Sequence, residues 1–115
     1  VDRVYSVERI EPLLAKARER FRKLGLRNIT AELSDGSFGW QKHAPYNGII
    51  TTAAPQSVPY ELLHQLAPNG ILVIPVGAGD VQDLRVLRRV GSTSEFEEEI
   101  VERVKFVPLL GGLAR

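Results

Sequence analysis

Apolar residues along this chain occur in short runs, and one longer segment has them at helical spacing. Apolar positions recur every three or four residues from Ile10 to Leu24, which predicts an amphipathic helix over residues 9–24. A shorter helix is predicted over residues 60–66. The uninterrupted apolar runs predict buried strands, and the alternating run after residue 84 predicts a strand with one polar side. The predicted strands cover residues 4–8, 28–33, 46–52, 71–76, 84–90 and 100–107.

The order of these elements favours an α/β fold. Strands and helices alternate through residue 76, which implies parallel strands joined by crossovers. The last two predicted strands follow each other without a helix, so we expect them to form an antiparallel hairpin. The expected sheet is therefore mostly parallel with an antiparallel C-terminal hairpin. At 115 residues the chain is one domain or part of one, and we interpret residues 1–115 as a single partial domain.

The composition excludes several classes of function. Fifteen basic and 14 acidic residues give a net charge of +1, so we expect neither nucleic acid nor anionic lipid as a partner. The absence of Cys excludes disulfides, thiolate metal sites and Cys nucleophiles. His43 and His64 lack metal-ligand spacing, and no metal site is expected. No apolar run approaches the ~20 residues of a membrane helix, and we expect a cytoplasmic protein.

Acidic residues follow the first two predicted strands at the point where each strand ends. Glu8 ends the first strand, and Asp35-Gly36 comes directly after the second. Because the carboxyl ends of parallel strands meet at one edge of a sheet, we expect these acids to be neighbours. A carboxylate at Glu8 can accept from both hydroxyls of a ribose, and one at Asp35 can accept from an adenine amine. The alternatives are an acid near a helix N-terminus for Glu8 and a plain Asp-Gly turn for Asp35.

Other polar and aromatic residues give weaker signals. Phe38 and Trp40 could line an adenine slot, but we favour packing in a loop or the core. We expect His43 in a loop and His64 on a helix surface. Neither histidine has an activating partner at triad-like spacing, so no catalytic residue is assigned from the sequence.

Several segments, in order along the chain, resemble a known family. They are Ser6-Val7-Glu8-Arg9-Ile10, Asp35-Gly36 with Gly39-Trp40, Ala44-Pro45-Tyr46-Asn47-Gly48-Ile49-Ile50-Thr51-Thr52-Ala53, Gln65-Leu66-Ala67-Pro68-Asn69-Gly70, Ile74-Pro75-Val76-Gly77 and Val104-Lys105-Phe106-Val107-Pro108-Leu109. Together they closely resemble the bacterial protein-L-isoaspartate O-methyltransferases over essentially the whole chain. The Ile74–Gly77 and Val104–Leu109 segments are the most specific.

The resemblance implies a class I methyltransferase sheet of the Rossmann-like type and a repair activity. That family uses S-adenosyl-L-methionine to methylate the α-carboxyl of L-isoaspartyl residues in damaged proteins, giving S-adenosyl-L-homocysteine. By resemblance, Glu8 holds the ribose hydroxyls with Arg9 beside it, and Asp35 and Gly36 hold the adenine edge. Leu110 borders the cofactor and substrate cleft. Isoaspartyl-containing peptides and proteins are the expected partners.

The resemblance also predicts elements that do not precede Val1 in this sequence. They are a Gly-rich loop for the methionine moiety and a segment with a Ser or Thr hydroxyl near the transferred methyl. We therefore expect the C-terminal portion of the family's domain, with the catalytic hydroxyl upstream of Val1 and negligible methyl transfer by this portion alone. Ser34 is a mild departure, because the family commonly has Gly there.

Two other classes of function remain open at this point. One is a different adenosine-binding enzyme, such as a nucleic-acid methyltransferase or a dehydrogenase. The near-neutral charge and the lack of an Asn/Asp-Pro-Pro-aromatic motif after the third strand count against amino-methylating relatives. The other class is a non-catalytic remnant or interaction module, against which the acids at both strand ends count.

Overall fold

The computed structural model describes residues 2–113 and contains two helices and six strands in that range. Every helix and strand predicted from the sequence is present, with differences in where some begin and end. The elements in chain order are β1 Val4–Glu8, α1 Glu11–Lys23, β2 Ile29–Leu33, β3 Tyr46–Ile50, α2 Tyr60–His64, β4 Leu66–Val76, β5 Gln82–Arg89 and β6 Phe96–Val104.

The strands form two hydrogen-bonded sheets. β1 pairs with β2 in parallel. β3, β4, β5 and β6 form the second sheet in that order, with β3 and β4 parallel and the remaining neighbours antiparallel. The α/β class, the parallel crossovers and the antiparallel C-terminal hairpin are therefore confirmed. β4 is an interior strand, as its apolar sequence predicts.

Helix α1 covers β1 and β2, with Leu14 as its buried residue. Its first turn contains Pro12, where the missing N–H costs no helical hydrogen bond. Gly25 follows the helix at φ 69°, a conformation that favours glycine, and its N–H donates to the Arg22 carbonyl. The helix therefore begins and ends where its sequence predicts, to within two residues.

Strand β4 begins five residues earlier than predicted. The sequence predicts a helix to residue 66 and a strand from residue 71, but the helix ends at His64 and pairing already begins at Leu66. The pairing then jumps, because Leu66 lies opposite Tyr46 and Ile71 lies opposite Gly48. The turn residues form a bulge inside the strand, with Asn69 at φ 61°.

The final strand also differs from its prediction. It covers Phe96–Val104 instead of residues 100–107. The shift reflects the hairpin geometry, since Val90 N–H donates to the Glu95 carbonyl and Arg89 lies opposite Phe96. This register frees the residues after Val104 to leave the sheet.

The core lies between α2 and the interior of the second sheet. Its buried side chains are Leu62, Leu66, Leu72, Ile74, Val76 and Leu87. This cluster fixes the relative positions of α2, β4 and β5. Among the described residues, no helix has the length and hydrophobicity to cross a bilayer.

Candidate functional site

The carboxyl ends of β1 and β2 lie side by side. Glu8 pairs with Leu33 in the parallel register, and the N–H of Ser34 donates to the Glu8 carbonyl at 2.9 Å. Glu8 and Asp35 therefore leave the same edge of the sheet from neighbouring strands, as the sequence predicts. This edge is the candidate functional site.

Glu8 and Arg9 place opposite charges at this edge. The Glu8 side chain is half-buried, and its Oε2 accepts the backbone N–H of Arg9 at 3.2 Å. The Nε of Arg9 is buried and has no hydrogen-bond partner among the described residues. A buried donor without a partner is unfavourable by itself, so this N–H is a local cost at the edge of the sheet.

Asp35 holds two different segments of backbone. Its Oδ1 accepts hydrogen bonds from the N–H of Ser37, at 2.9 Å, and from the Ser37 hydroxyl. Asp35 thereby caps the 3₁₀ turn Gly36–Phe38. Its Oδ2 accepts the N–H of Gly112 at 3.0 Å, across 77 residues of sequence. The turn interpretation of Asp35 is thus correct for Oδ1, and the carboxylate also binds the C-terminal segment.

These contacts lower the pKa of Asp35. The hydrogen bond from the Ser37 hydroxyl contributes most, the N–H groups of Gly112 and Ser37 add to it, and the positive charge of Arg9 acts in the same direction. Partial burial opposes them. Asp35 is therefore ionised at neutral pH and acts as an acceptor only.

The C-terminal segment reaches the same edge through backbone hydrogen bonds. The N–H of Ala54 donates to the Val107 carbonyl at 2.7 Å, and the N–H of Leu109 donates to the Ala54 carbonyl at 2.9 Å. Leu110 therefore lies between Leu109, which is bound beyond the end of β3, and Gly112, which is bound to Asp35. Leu110 is thus two residues from the backbone N–H that binds Asp35, and 53% of its surface is exposed.

Aromatic side chains connect β1 with the segment before β3. The Tyr5 ring of β1 stacks on His43 with ring centroids 4.2 Å apart, and Trp40 meets both rings edge-on at 5.6 Å and 4.8 Å. Packing, the favoured interpretation of both residues, is therefore confirmed for Trp40 and wrong for Phe38, which is 61% exposed. His43 ends a 3₁₀ turn, Gln41–His43, instead of lying in an irregular loop, while His64 is exposed on the surface of α2, as expected.

Sequence reasoning assigned no role to two buried glutamines near this edge. Gln65 and Gln82 are 2% and 3% exposed, and the side-chain amide of each binds backbone groups of a loop or terminal segment. A polar residue directly before the apolar run of β4 was the available signal for Gln65.

A separate groove of about 510 Å³ lies between α1 and β2. Its lining includes Arg18, Arg22 and Arg27 with the apolar Phe21, Leu26 and Ile29. None of the predicted site residues lines this groove. Within residues 2–113, no cluster of three or more His, Asp or Glu side chains could hold a metal ion.

Comparison with known proteins decides the family. The family model described as protein-L-isoaspartate(D-aspartate) O-methyltransferase matches residues 1–114. The chain belongs to this family. A family member from Hahella chejuensis is 55% identical over 112 residues, and one from Cellvibrio japonicus is 56% identical over 115 residues. These matches cover 97% and 100% of this chain but 52% and 51% of the relatives, so the chain spans about half their length.

Solved structures of the family share the fold. One protein-L-isoaspartate O-methyltransferase superposes with a TM-score of 0.85 at 22% identity, covering 97% of this chain and 35% of that one. A Plasmodium falciparum structure assigned to the same enzymes, in complex with S-adenosyl-L-homocysteine, gives a TM-score of 0.78 at 20% identity. It covers 94% of this chain and 52% of its own. The Rossmann-like methyltransferase fold is thereby confirmed.

The hydrogen bonds to Asp35 predict an acidic titration of its carboxyl group. In a full-length protein carrying this chain, we expect its pKa to lie below the ordinary 3.8. The Ser37→Ala change should raise it, because it removes the strongest of these bonds. A depressed folded pKa contributes stability that is present above the unfolded pKa and is lost as pH falls through the folded value. Carboxyl carbon shifts followed by NMR from pH 6 to 2 measure this, and an unchanged midpoint in the variant contradicts the account.

Proposed function

We propose that a full-length protein carrying this chain is an S-adenosyl-L-methionine-dependent protein-L-isoaspartate O-methyltransferase, and that this chain supplies the wall that binds the adenosine part of the cofactor. One observation carries the proposal. Two carboxylates, Glu8 and Asp35, leave adjacent parallel strands at the edge that the Leu109–Gly112 segment also reaches. Membership of the family supports the reaction type.

The residues at this edge fit an adenosine group. Glu8 provides two carboxylate oxygens, of which one already accepts the Arg9 N–H, so acceptor sites remain for both ribose hydroxyls. Arg9, which is half-buried and directly follows Glu8, brings the donors of its guanidinium to the same edge. The edge therefore has both hydrogen-bond donors and acceptors, and the ribose hydroxyls can bond to both kinds of group.

The role of Asp35 is limited by the bonds it already makes. Its Oδ1 accepts two hydrogen bonds from Ser37, which is its usual capacity. Its Oδ2 accepts one from Gly112 and keeps one acceptor site. We infer that the adenine amine donates to Oδ2, next to Gly36 and the segment with Leu110.

The proposed reaction requires this chain to position the cofactor, and it does not require a general acid or base. When bound, S-adenosyl-L-methionine supplies a methyl group activated by a sulfonium. The isoaspartyl carboxylate that receives it is ionised at neutral pH and needs no general base. Holding the adenosine part at a fixed place is therefore what Glu8, Arg9, Asp35, Gly36 and Leu110 contribute.

Partners and location belong to the same proposal. Isoaspartyl-containing peptides and proteins are the proposed substrates, and the cytoplasm is the proposed location. The net charge of +1 supports a protein without nucleic-acid or membrane partners, because it provides no broad electrostatic attraction to either.

Methyl transfer to a defined peptide tests this function. We expect a full-length protein carrying this chain to transfer a labelled methyl group from S-adenosyl-L-methionine to an L-isoaspartyl peptide. The same peptide with ordinary aspartate is the matched control and should receive no label. Equal labelling of both peptides, or labelling of neither, would contradict the proposal.

Removing the proposed ribose acceptor should weaken cofactor binding. We expect Glu8→Ala to cost about 2–4 kcal/mol of binding free energy through two lost charge-assisted bonds, or roughly 30- to 900-fold in Kd. Asp35→Ala should cost less, since one amine bond is involved. Calorimetry on the full-length protein measures both.

The matched control for this experiment is Glu19→Ala. Glu19 carries the same charge on α1, where it pairs with Lys23 at 3.3 Å on the exposed side of the helix. Its removal should leave the Kd unchanged. Wild-type affinity in both Glu8→Ala and Asp35→Ala would show that the adenosine part binds elsewhere.

A further inference from the structure

Gln65 is a buried polar residue at the junction of α2 and β4. The residue is 2% exposed, and both the oxygen and the nitrogen of its side-chain amide form hydrogen bonds. Oε1 accepts the backbone N–H of Trp40 at 3.0 Å, and Nε2 donates to the Phe38 carbonyl at 2.8 Å. The side chain thus binds the main chain of a loop 25 to 27 residues earlier in the sequence.

The loop passes so close to Gln65 that its shape depends on that contact. Gly39, between the two bonded residues, has φ 63°, and a Cβ added there would lie 2.2 Å from Oε1 of Gln65. The hydroxyl of Tyr46 binds the Trp40 carbonyl on the same stretch. Phe38 is mostly exposed, so polar bonds hold its backbone, while the Trp40 ring also packs against Tyr5 and His43.

Phe38 and Trp40, which Gln65 binds, closely follow the proposed adenine-binding residues Asp35 and Gly36 in the sequence. Asp35 caps the turn Gly36–Phe38, and the N–H of Gly39 donates to the Gly36 carbonyl at 3.0 Å. Fixing Phe38 and Trp40 therefore fixes the turn whose first residues face the cofactor edge. Because only three residues separate them, a displacement of Trp40 would also displace Gly36.

An amide at this position is unfavourable unless the loop uses it. A buried polar side chain costs desolvation free energy, and an apolar residue of similar size would satisfy packing between α2 and β4. An apolar replacement would leave the Trp40 N–H and the Phe38 carbonyl without these partners. The amide therefore stabilises the conformation of the loop and is not needed for packing in the core.

We propose that Gln65 is a positioning residue for cofactor binding, which holds the Phe38–Trp40 loop and through it the adenine-facing Asp35 and Gly36. This inference rests on the proposed function, because it assumes that the adenosine part binds at this edge. It assigns a role to a residue that contacts neither the cofactor nor the substrate.

The Gln65→Glu change in a full-length protein carrying this chain tests the proposal. At neutral pH the new carboxylate accepts from Trp40 but cannot donate to Phe38, so we expect Kd for S-adenosyl-L-methionine to rise roughly tenfold. A protonated carboxyl group has a donor and an acceptor, which are the two functions that the amide uses here. Burial raises the pKa of such a group, so affinity relative to wild type should recover as pH falls.

Two comparisons separate positioning from loss of stability. Gln65→Met cannot donate at any pH, so its weakened binding should not recover. Leu87→Ala removes buried volume from β5 without touching the loop and should lower the unfolding free energy while leaving Kd unchanged. His43, His64 and Tyr46 are unchanged in the Gln65 and Leu87 variants, so taking the ratio to wild type at each pH removes any effect that these residues have on binding.

The outcomes distinguish this inference from the proposed function. If Glu8→Ala weakens binding but a folded Gln65→Glu binds as wild type at neutral pH, Gln65 has no positioning role. If Leu87→Ala weakens binding as strongly as Gln65→Glu, the effect is general instability and the proposal is overturned. Absence of cofactor binding by the wild-type protein would instead reject the proposed function itself.

A milder variant keeps the test decisive if Gln65→Glu does not fold. Tyr46→Phe removes only the hydroxyl that binds the Trp40 carbonyl. We expect a rise in KM for S-adenosyl-L-methionine of roughly threefold or more, with kcat retained at saturating cofactor. An unchanged KM in this variant overturns the proposal.

Discussion

The parallel pairing of β1 with β2 is the constraint on which the site depends. It brings Glu8 and Asp35, 27 positions apart in the sequence, to one edge of a sheet without any direct bond between their side chains. A shift of one residue in this register would turn alternate side chains to the opposite face. The crossover through α1 stabilises the register, because Leu14 is buried and Arg18 binds the Ala31 carbonyl at 2.7 Å.

The rest of the site consists of irregular segments held by polar side chains. Asp35 binds Gly112, Gln65 binds Phe38 and Trp40, and Gln82 binds the N–H of Phe106 at 2.8 Å. In each case a side chain on or next to a regular element bonds to the backbone of a loop or the C-terminal segment. Such bonds position the loops without requiring them to bury apolar surface.

The regular elements could be predicted from the sequence because their signals are local. Apolar runs defined β1 and β4, and helical spacing with Pro12 and Gly25 defined α1. The bulge before Ile71 could not be predicted in this way. Pro68, Asn69 and Gly70 are typical of a chain break, and only the pairing of Leu66 with Tyr46 keeps the strand continuous across them.

The shared edge of the two acids was predictable for the same reason. Acids at strand ends are visible in the sequence, so Glu8 and Asp35 could be named as candidates, while Leu110 is a candidate only through resemblance to the family. The position of Leu110 depends on bonds from Ala54 and Asp35 that join distant parts of the chain. Gln65 was missed because a lone glutamine at an element boundary does not reveal that it is buried.

The most direct test of the account is to map where the adenosine part binds. Backbone amide shifts of a full-length protein carrying this chain can be recorded by NMR with and without S-adenosyl-L-homocysteine. The account predicts the largest changes at Arg9, Gly36 and Leu110, with Leu26 and Arg27 in the separate groove unaffected. Changes confined to that groove, with the carboxyl edge of β1 and β2 unperturbed, would contradict it.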